Sequence, residues 1–438
     1  MNNCMKWMTA VCLLFSLTVE GQEKPVQWDL KTCIDYAKAQ NIQIKKSKVA
    51  LQESLENISQ AKAELLPSLS FSTSHNLVNH PKSTTSDKND YSGSYGLNTS
   101  VTLFNGGKLR TGVKQLELQD KIQELTIREA ENDIELSITQ AFVQLLYANE
   151  AVRINRNTVE ISEAQCDRAR QLLEAGSIST TDLAQLESQY TSDKYQLVTA
   201  ETALEDVHLQ LKQLLELDIM DELVLLIPEI PDKDLLAVLP GKVQVYETSL
   251  SIMPQIEYGR INVDAAGLGI TKAKAGYWPS LKLSAGIGTG HVSGSSFSFG
   301  NQLQNSFNES IGLTLSVPIF SNRSNKTAVK LAQLNVENTE LSYLGIQKDL
   351  LKSVETVCLD AASSQAKYSA AKENLKAVEM SFKLVQEQFN LGMKNTVEFL
   401  TEKNNLLSAQ QELIQAKYMT VLNRQLLNFY QGQPIEIK

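Results

Sequence analysis

Two spacings of apolar residues alternate along the chain. The first has period two. Leu69, Phe71 and Thr73 alternate with Ser68, Ser70, Ser72 and Ser74, and after a polar loop Tyr95, Leu97, Thr99, Val101 and Leu103 alternate with Ser94, Gly96, Asn98, Ser100 and Thr102. The scheme returns as Leu281, Leu283, Ala285 and Ile287 against Lys282, Ser284, Gly286 and Gly288. Beyond a Gly/Ser/Asn loop it returns again as Ile311, Leu313, Leu315, Val317 and Ile319 against Ser310, Gly312, Thr314, Ser316 and Pro318. Period two puts the two sets on opposite faces of a strand. Runs of roughly 10 residues with an apolar face and a small polar face fit transmembrane β-strands, or a soluble sandwich with one wet face.

The second spacing steps by four and three. It runs through Val357, Ala361, Ser364, Tyr368, Ala371, Leu375, Val378, Phe382, Val385 and Phe389, and through Ile134, Ile138, Ala141, Leu145, Ala148 and Val152. Leu183, Leu186, Tyr190, Leu197, Ala200, Leu204, Val207, Leu211 and Leu214 keep the same register, with Asp193 filling one slot. A 3.5-residue repeat predicts left-handed coiled-coil packing. From Lys108 to Glu174 the chain has no proline and one glycine, Gly112; from Asn322 to Leu391 it has none and one, Gly345. At 1.5 Å per residue each stretch makes a rod of about 100 Å. Gly176 and Gly392 are the expected reversals, because glycine accepts the left-handed conformation that ends a helix. Each rod therefore folds back on a shorter helix. Heptads alone would also fit an isolated structural coiled coil.

Every landmark occurs twice in the same order. "VTLFNGGKLRTGVKQLEL" from Val101 matches "VPIFSNRSNKTAVKLAQL" from Val317, with Phe104, Thr111, Val113 and Lys114 over Phe320, Thr327, Val329 and Lys330 at one constant offset. "AKAELLPSLSFS" from Ala61 returns as "AKAGYWPSLKLS" from Ala273, and "LLEAGSISTTDL" from Leu172 as "QFNLGMKNTVEF" from Gln388. The expected organisation is a signal peptide over 1–21 and two structural repeats, 22–240 and 241–438, joined at the proline-rich "LIPEIPDKDLLAVLPG". Strands are expected over about 67–104 and about 279–320, with hairpin tips at Gly176 and Gly392.

The N-terminal "MNNCMKWMTAVCLLFSLTVEGQ" sets one lysine before a short apolar run and small residues before Gln22, which reads as an export signal and is too short for a membrane span. No later apolar run approaches the 20 residues of a transmembrane helix. Alternating strands closed into a barrel can still enter lipid, because closure satisfies every backbone group. Four strands are too few to close one, and three copies would bring twelve. A net charge of −9 gives no reason to expect nucleic acid, which is bound through basic phosphate contacts. The cysteines that follow the signal, Cys33, Cys166 and Cys358, are odd in number and unpaired in spacing, so free packed thiols are expected.

No catalytic constellation emerges. "HNLVNH" places His75 and His80 on opposite faces of a strand, so they cannot converge on a metal. "GIGTGHVSG" from Gly286 opens no helix and is no phosphate loop. No histidine is placed to activate a serine. The reading is no enzyme, no cofactor and no metal.

The duplicated "LLPSLS" and "YWPSLKLS" before the strands, "LFNGG" and "PIFSNRSN" after them, and the tips "EAGSISTTDL" and "NLGMKNTVEF" resemble the TolC-like outer-membrane efflux protein family over roughly Trp28 to Gly432. "FSNRSN" lacks the double glycine of "FNGG", a departure that bears on the local geometry of that junction and not on the fold. The resemblance implies a mainly α, internally duplicated chain whose long coiled-coil helices form an α-helical barrel, with four strands per chain in a 12-stranded transmembrane β-barrel. It also implies a homotrimeric exit duct in outer-membrane lipid with a long periplasmic extension, working with a periplasmic adaptor and an inner-membrane pump. Carried over by position, the periplasmic constriction would involve Asp182, Lys394 and Glu398, with Asp182 and Lys394 facing each other. Thr401 stands where a second ring acid would be, with Glu402 its neighbour. Phe389 stands where a linking tyrosine occurs, and Gly176 and Gly392 mark the adaptor-docking tips. A structural periplasmic coiled-coil protein or an adaptor without a pore is the alternative.

Overall fold

A computed structural model describes residues 27–81, 89–228 and 230–437, so the expected signal peptide at 1–21 lies outside the described residues. Helices α1 (Leu30–Gln40) and α2 (Ile42–Ala63) lead into strands β1 (Ser68–Asn79) and β2 (Asn89–Phe104), then a long helix α3 (Lys108–Glu174) and a shorter α4 (Thr180–Leu214). After a one-turn α5 (Asp232–Leu235) the same order runs again: α6 (Lys242–Ile252), α7 (Pro254–Lys274), β3 (Ser280–Val292), β4 (Asn308–Ser316), α9 (Ser324–Asn390) and α10 (Thr396–Tyr430). A short helix α8 (Phe299–Asn305) occupies part of the loop between β3 and β4, where no helix was expected.

The sheet is antiparallel in the order β1-β2-β3-β4, so its central pairing joins the first half of the chain to the second. Register carries the alternation across all four strands. Phe71 lies opposite Leu97, Leu97 opposite Ile287, Leu283 opposite Leu313 and Ala285 opposite Ile311. On the other face Ser72 meets Gly96, Gly96 meets Gly288, and Ser284 meets Gly312. One face thus carries the apolar residues, giving way to His75, His291 and Glu309 toward the β1–β2 and β3–β4 loops, and the other is small and polar. In the single chain the apolar face is open, with Leu69 69% and Ile311 80% exposed. No helix among the described residues is long and apolar enough to cross a membrane. Strand β4 stops at Ser316, short of the alternation read to Ile319, because Pro318 has no N–H to continue the ladder.

The strand-to-helix junctions share one backbone solution. Gly106 and Gly107 have φ of 67° and 81°, and Asn322 and Arg323 at the second junction have 46° and 64°. The second copy therefore keeps the left-handed pair without glycine.

The helical rods pack as the seams predict. All of the seam positions named above are buried or half-buried, including Asp193. Helix α3 packs on α4 and α9 on α10, and α10 also packs on α3. The largest core forms where α1, α3, α4 and α10 meet, around Trp28, Phe142, Leu211, Val421 and Ile435. Burying each such side chain stabilises by about 1.5–3 kcal/mol. The proline-rich joint is fastened to both halves. Leu226 N–H donates to Trp28 O at 2.9 Å, Asp232 accepts from Tyr368 and Lys372, and Gln365 donates to Leu235 O and Ala237 O. The three described cysteines are free; Cys33 and Cys166 are buried and Cys358 half-buried. Burial pushes the Cys33 thiol up to about 12.

Candidate functional site

The two hairpin turns lie side by side at the end of the helical rods opposite the sheet. Each turn is built the same way. In the first, Ser177 N–H donates to Leu172 O at 2.8 Å and Gly176 N–H to Leu173 O at 2.9 Å; in the second, Met393 N–H donates to Gln388 O at 2.9 Å and Gly392 N–H to Phe389 O at 3.0 Å. These paired bonds satisfy the last carbonyls of α3 and α9 and require a left-handed residue, met by Gly176 (φ 70°) and Gly392 (φ 71°). The following helices each open with a capping box. Ser179 and Asp182 exchange bonds at the start of α4, and Asn395 and Glu398 at the start of α10.

Those boxes decide where the candidate charges point. As third residues of their boxes, Asp182 and Glu398 turn back toward their own N-caps. Asp182 then accepts from Thr396 Oγ1 at 2.8 Å, a link from the first hairpin to the second. Lys394 lies four residues before Glu398 and binds it at 2.6 Å. The expected Asp182–Lys394 pair is not formed within the chain, because each partner is engaged by a nearer residue. The Ser179 and Thr396 hydroxyls hold the Asp182 carboxyl below its usual range, and the Lys394 ammonium with the Asn395 N–H does the same for Glu398. Thr401 donates to Val397 O at 2.8 Å, and Glu402 accepts from Ser381 on α9 at 3.3 Å.

Phe389 stacks on Phe399 with ring centroids 4.6 Å apart, in an apolar cluster with Cys166, Leu186 and Phe382. It therefore holds the hairpins together by packing. Arg168 on α3 donates to the side chain and backbone carbonyl of Asn390, adding a further link between hairpins.

Sequence reasoning missed the most buried charges near the tips. Lys403 on α10 donates to Asp193 on α4 and to Ser162 on α3, and Ser162 also donates to Asp193. The only advance signal was Asp193 standing in an apolar seam. It also missed His75 and His291, which meet over Gly93 on the apolar face of the sheet with ring centroids 6.3 Å apart. Among the described residues no group of three or more His, Cys, Asp or Glu is positioned to hold a metal ion. The tips offer polar links and packed aromatics.

A family model described as "Outer membrane efflux protein" matches residues 33–216 and 245–433. The outer membrane protein TolC of Escherichia coli (strain K12) is 23% identical over 427 residues, covering 94% of this chain and 84% of TolC. The outer membrane efflux protein BepC of Brucella suis biovar 1 is 21% identical over 430 residues, covering 97% and 90%. Among solved structures, CusC superposes with a TM-score of 0.81 at 20% identity, over 93% of each chain.

Proposed function

The chain belongs to the outer membrane efflux protein family and is an outer-membrane exit duct with a long periplasmic helical part, and from that premise we propose how it works. Three copies assemble, each contributing its 4-stranded sheet to a twelve-stranded barrel. The duct is a passive conduit that changes no bond in its cargo, and an inner-membrane pump drives transport through a periplasmic adaptor. The repeats 22–240 and 241–438 are its two structural units.

One observation carries the assembly: the apolar face runs in register over all four strands, yet β1 and β4 each leave an edge unpaired. Lipid cannot solvate those edges, so they must close on other copies. A purely periplasmic coiled coil would have no use for such a face.

The tips close the periplasmic end, with Gly176 and Gly392 at the surface an adaptor meets. Asp182, Lys394 and Glu398 supply weak polar links at the constriction and Phe389 an apolar one. Links of this kind suit an end that must open, since exposed ion pairs move an equilibrium little.

Native mass in detergent tests the assembly, where a trimer is expected and a stable, folded monomer sinks it. Single-channel conductance tests the constriction. Lys394→Glu removes the bond to Glu398 and crowds like charges near the tip, so conductance should rise; wild-type conductance would remove Lys394 and Glu398 from the constriction.

A further inference from the structure

We propose that Ser162, Asp193 and Lys403 form a latch holding the second hairpin against the first within each protomer, and that opening the periplasmic end has to break it. The proposal rests on the reading that the tips close the duct.

The latch joins three helices, α3, α4 and α10. The Lys403 and Asp193 side chains are 5% and 3% exposed, whereas those of Lys394 and Glu398 are 36% and 43% exposed. Both Asp193 oxygens are occupied, one by Lys403 and Ser162 and the other by Gln189 Nε2 at 2.8 Å. Gln189 reaches on to Asn404 of α10 at 3.4 Å, a second thread between the same hairpins. An acid in an apolar seam is stable as a charge only when a cation reaches it. Here that cation comes from the other hairpin.

The contact is one-sided. At the constant offset between halves, Asp193 corresponds to Ala409 and Lys403 to Glu187, so the duplication supplies no matching pair elsewhere. Lys403 lies seven residues beyond Thr396, about 10 Å up α10 from the turn. A movement of α9 and α10 against α3 and α4 draws the ammonium out of its site and strands Asp193 in a dry seam. At the tip, by contrast, the exposed Asp182–Thr396 bond exchanges its partner for water, and Lys394 and Glu398 travel together on the second hairpin.

Magnitudes separate the two. Stranding one member of a buried pair shifts an equilibrium by on the order of 100-fold or more. Exposed ion pairs shift it by roughly 1.4- to 5-fold. The latch therefore sets the resting state, and the tip links trim it.

The test compares single-channel conductance and open fraction in planar bilayers for full-length trimers. Lys403→Met should raise the open fraction far more than Lys394→Glu, and the swap Asp193→Lys/Lys403→Asp should return it toward wild type. Should Lys403→Met not assemble, Asp193→Asn carries the same test, since it keeps the shape and leaves Lys403 unpaired. If these latch variants conduct as wild type while Lys394→Glu conducts more, the latch proposal is overturned and the tip remains the constriction. If neither kind of variant changes conductance, the tip does not close the duct, and both readings fail. If both latch variants lose assembly and the swap restores it, the cluster serves folding alone, and the proposal falls.

Discussion

Replacing Arg323 by glycine should stabilise the assembled protein. Arg323 holds φ at 64° where the first junction has Gly107 at 81°, and a left-handed conformation costs a residue with a Cβ about 1–2 kcal/mol. Glycine returns about 0.5–1 kcal/mol of that through its greater freedom in the unfolded chain. The net expectation is a gain of about 0.5–1 kcal/mol per chain. Arg323 is exposed, so little packing is lost, and its carbonyl still accepts the first helical bond from Thr327 N–H at 2.9 Å. Asn322→Gly should be close to neutral, because asparagine tolerates this region. The reverse changes calibrate the estimate. At Gly107 an added Cβ meets nothing within 4 Å, so Gly107→Ala isolates the backbone cost, whereas at Gly106 it would approach Trp278 Cβ to 2.7 Å and Ala275 O to 2.9 Å. The assay is the temperature at which detergent-solubilised oligomers dissociate. Arg323→Gly should raise it by roughly 1–2 °C and Gly107→Ala should lower it by a similar amount. A lower dissociation temperature for Arg323→Gly, or no effect of Gly107→Ala, would refute the claim that the second junction is strained.

Three further outcomes follow from the same geometry. Gly176→Val/Gly392→Val meets open space at both turns, so its cost is purely the left-handed backbone; export should fall while the outer-membrane level holds, and full export would exclude both turns as docking elements. Phe399 is fully buried and carries the stack with Phe389, so Phe399→Ala should cost about 3–5 kcal/mol locally and speed protease cleavage at the tips, read by limited proteolysis. Asp182, bonded by Ser179 and Thr396, and Asp232, bonded by Lys372 and Tyr368, both titrate below their ordinary 3.8. A lowered carboxylate stabilises above its unfolded pKa and loses that contribution as pH falls through the folded one. Thermal stability should hold down to about pH 4 and decline below it, and Asp182→Asn/Asp232→Asn should flatten that decline.

The long-range architecture was legible because it is written in periods. The seams gave the helix packing, the two tip glycines gave the reversals, and the alternating runs gave the strands with their faces. What escaped was decided by single atoms. Pro318 ended β4 early by lacking a donor. The junction at Asn322 and Arg323 kept a glycine-like backbone that its letters did not announce. At the tips, the family resemblance suggested Asp182 with Lys394, but capping boxes claimed both acids first, and Glu398 took the lysine. Asp193 showed only as a polar slot in a seam. Its partner lies on another helix far along the chain, which no local pattern can reveal. His75 and His291 meet for a similar reason, through strand pairing across a glycine.

The β2–β3 pairing fuses what would otherwise be two separate chains, and this changes how a ring of such units can close. In a ring of half-length subunits every seam between strand pairs would form by collision, and each would weaken on dilution. Tethering makes one seam in every two intramolecular, so its formation depends on the effective concentration set by the linker and not on how many copies the cell makes. The β4-to-β1 seams of the proposed trimer remain the concentration-dependent ones. Ring closure then leaves half as many seams to form between separate chains. Tethering also ends the equivalence of the halves: a change in one no longer repeats at every seam, which leaves room for a contact as lopsided as Asp193 with Lys403, where the matching positions hold Ala409 and Glu187.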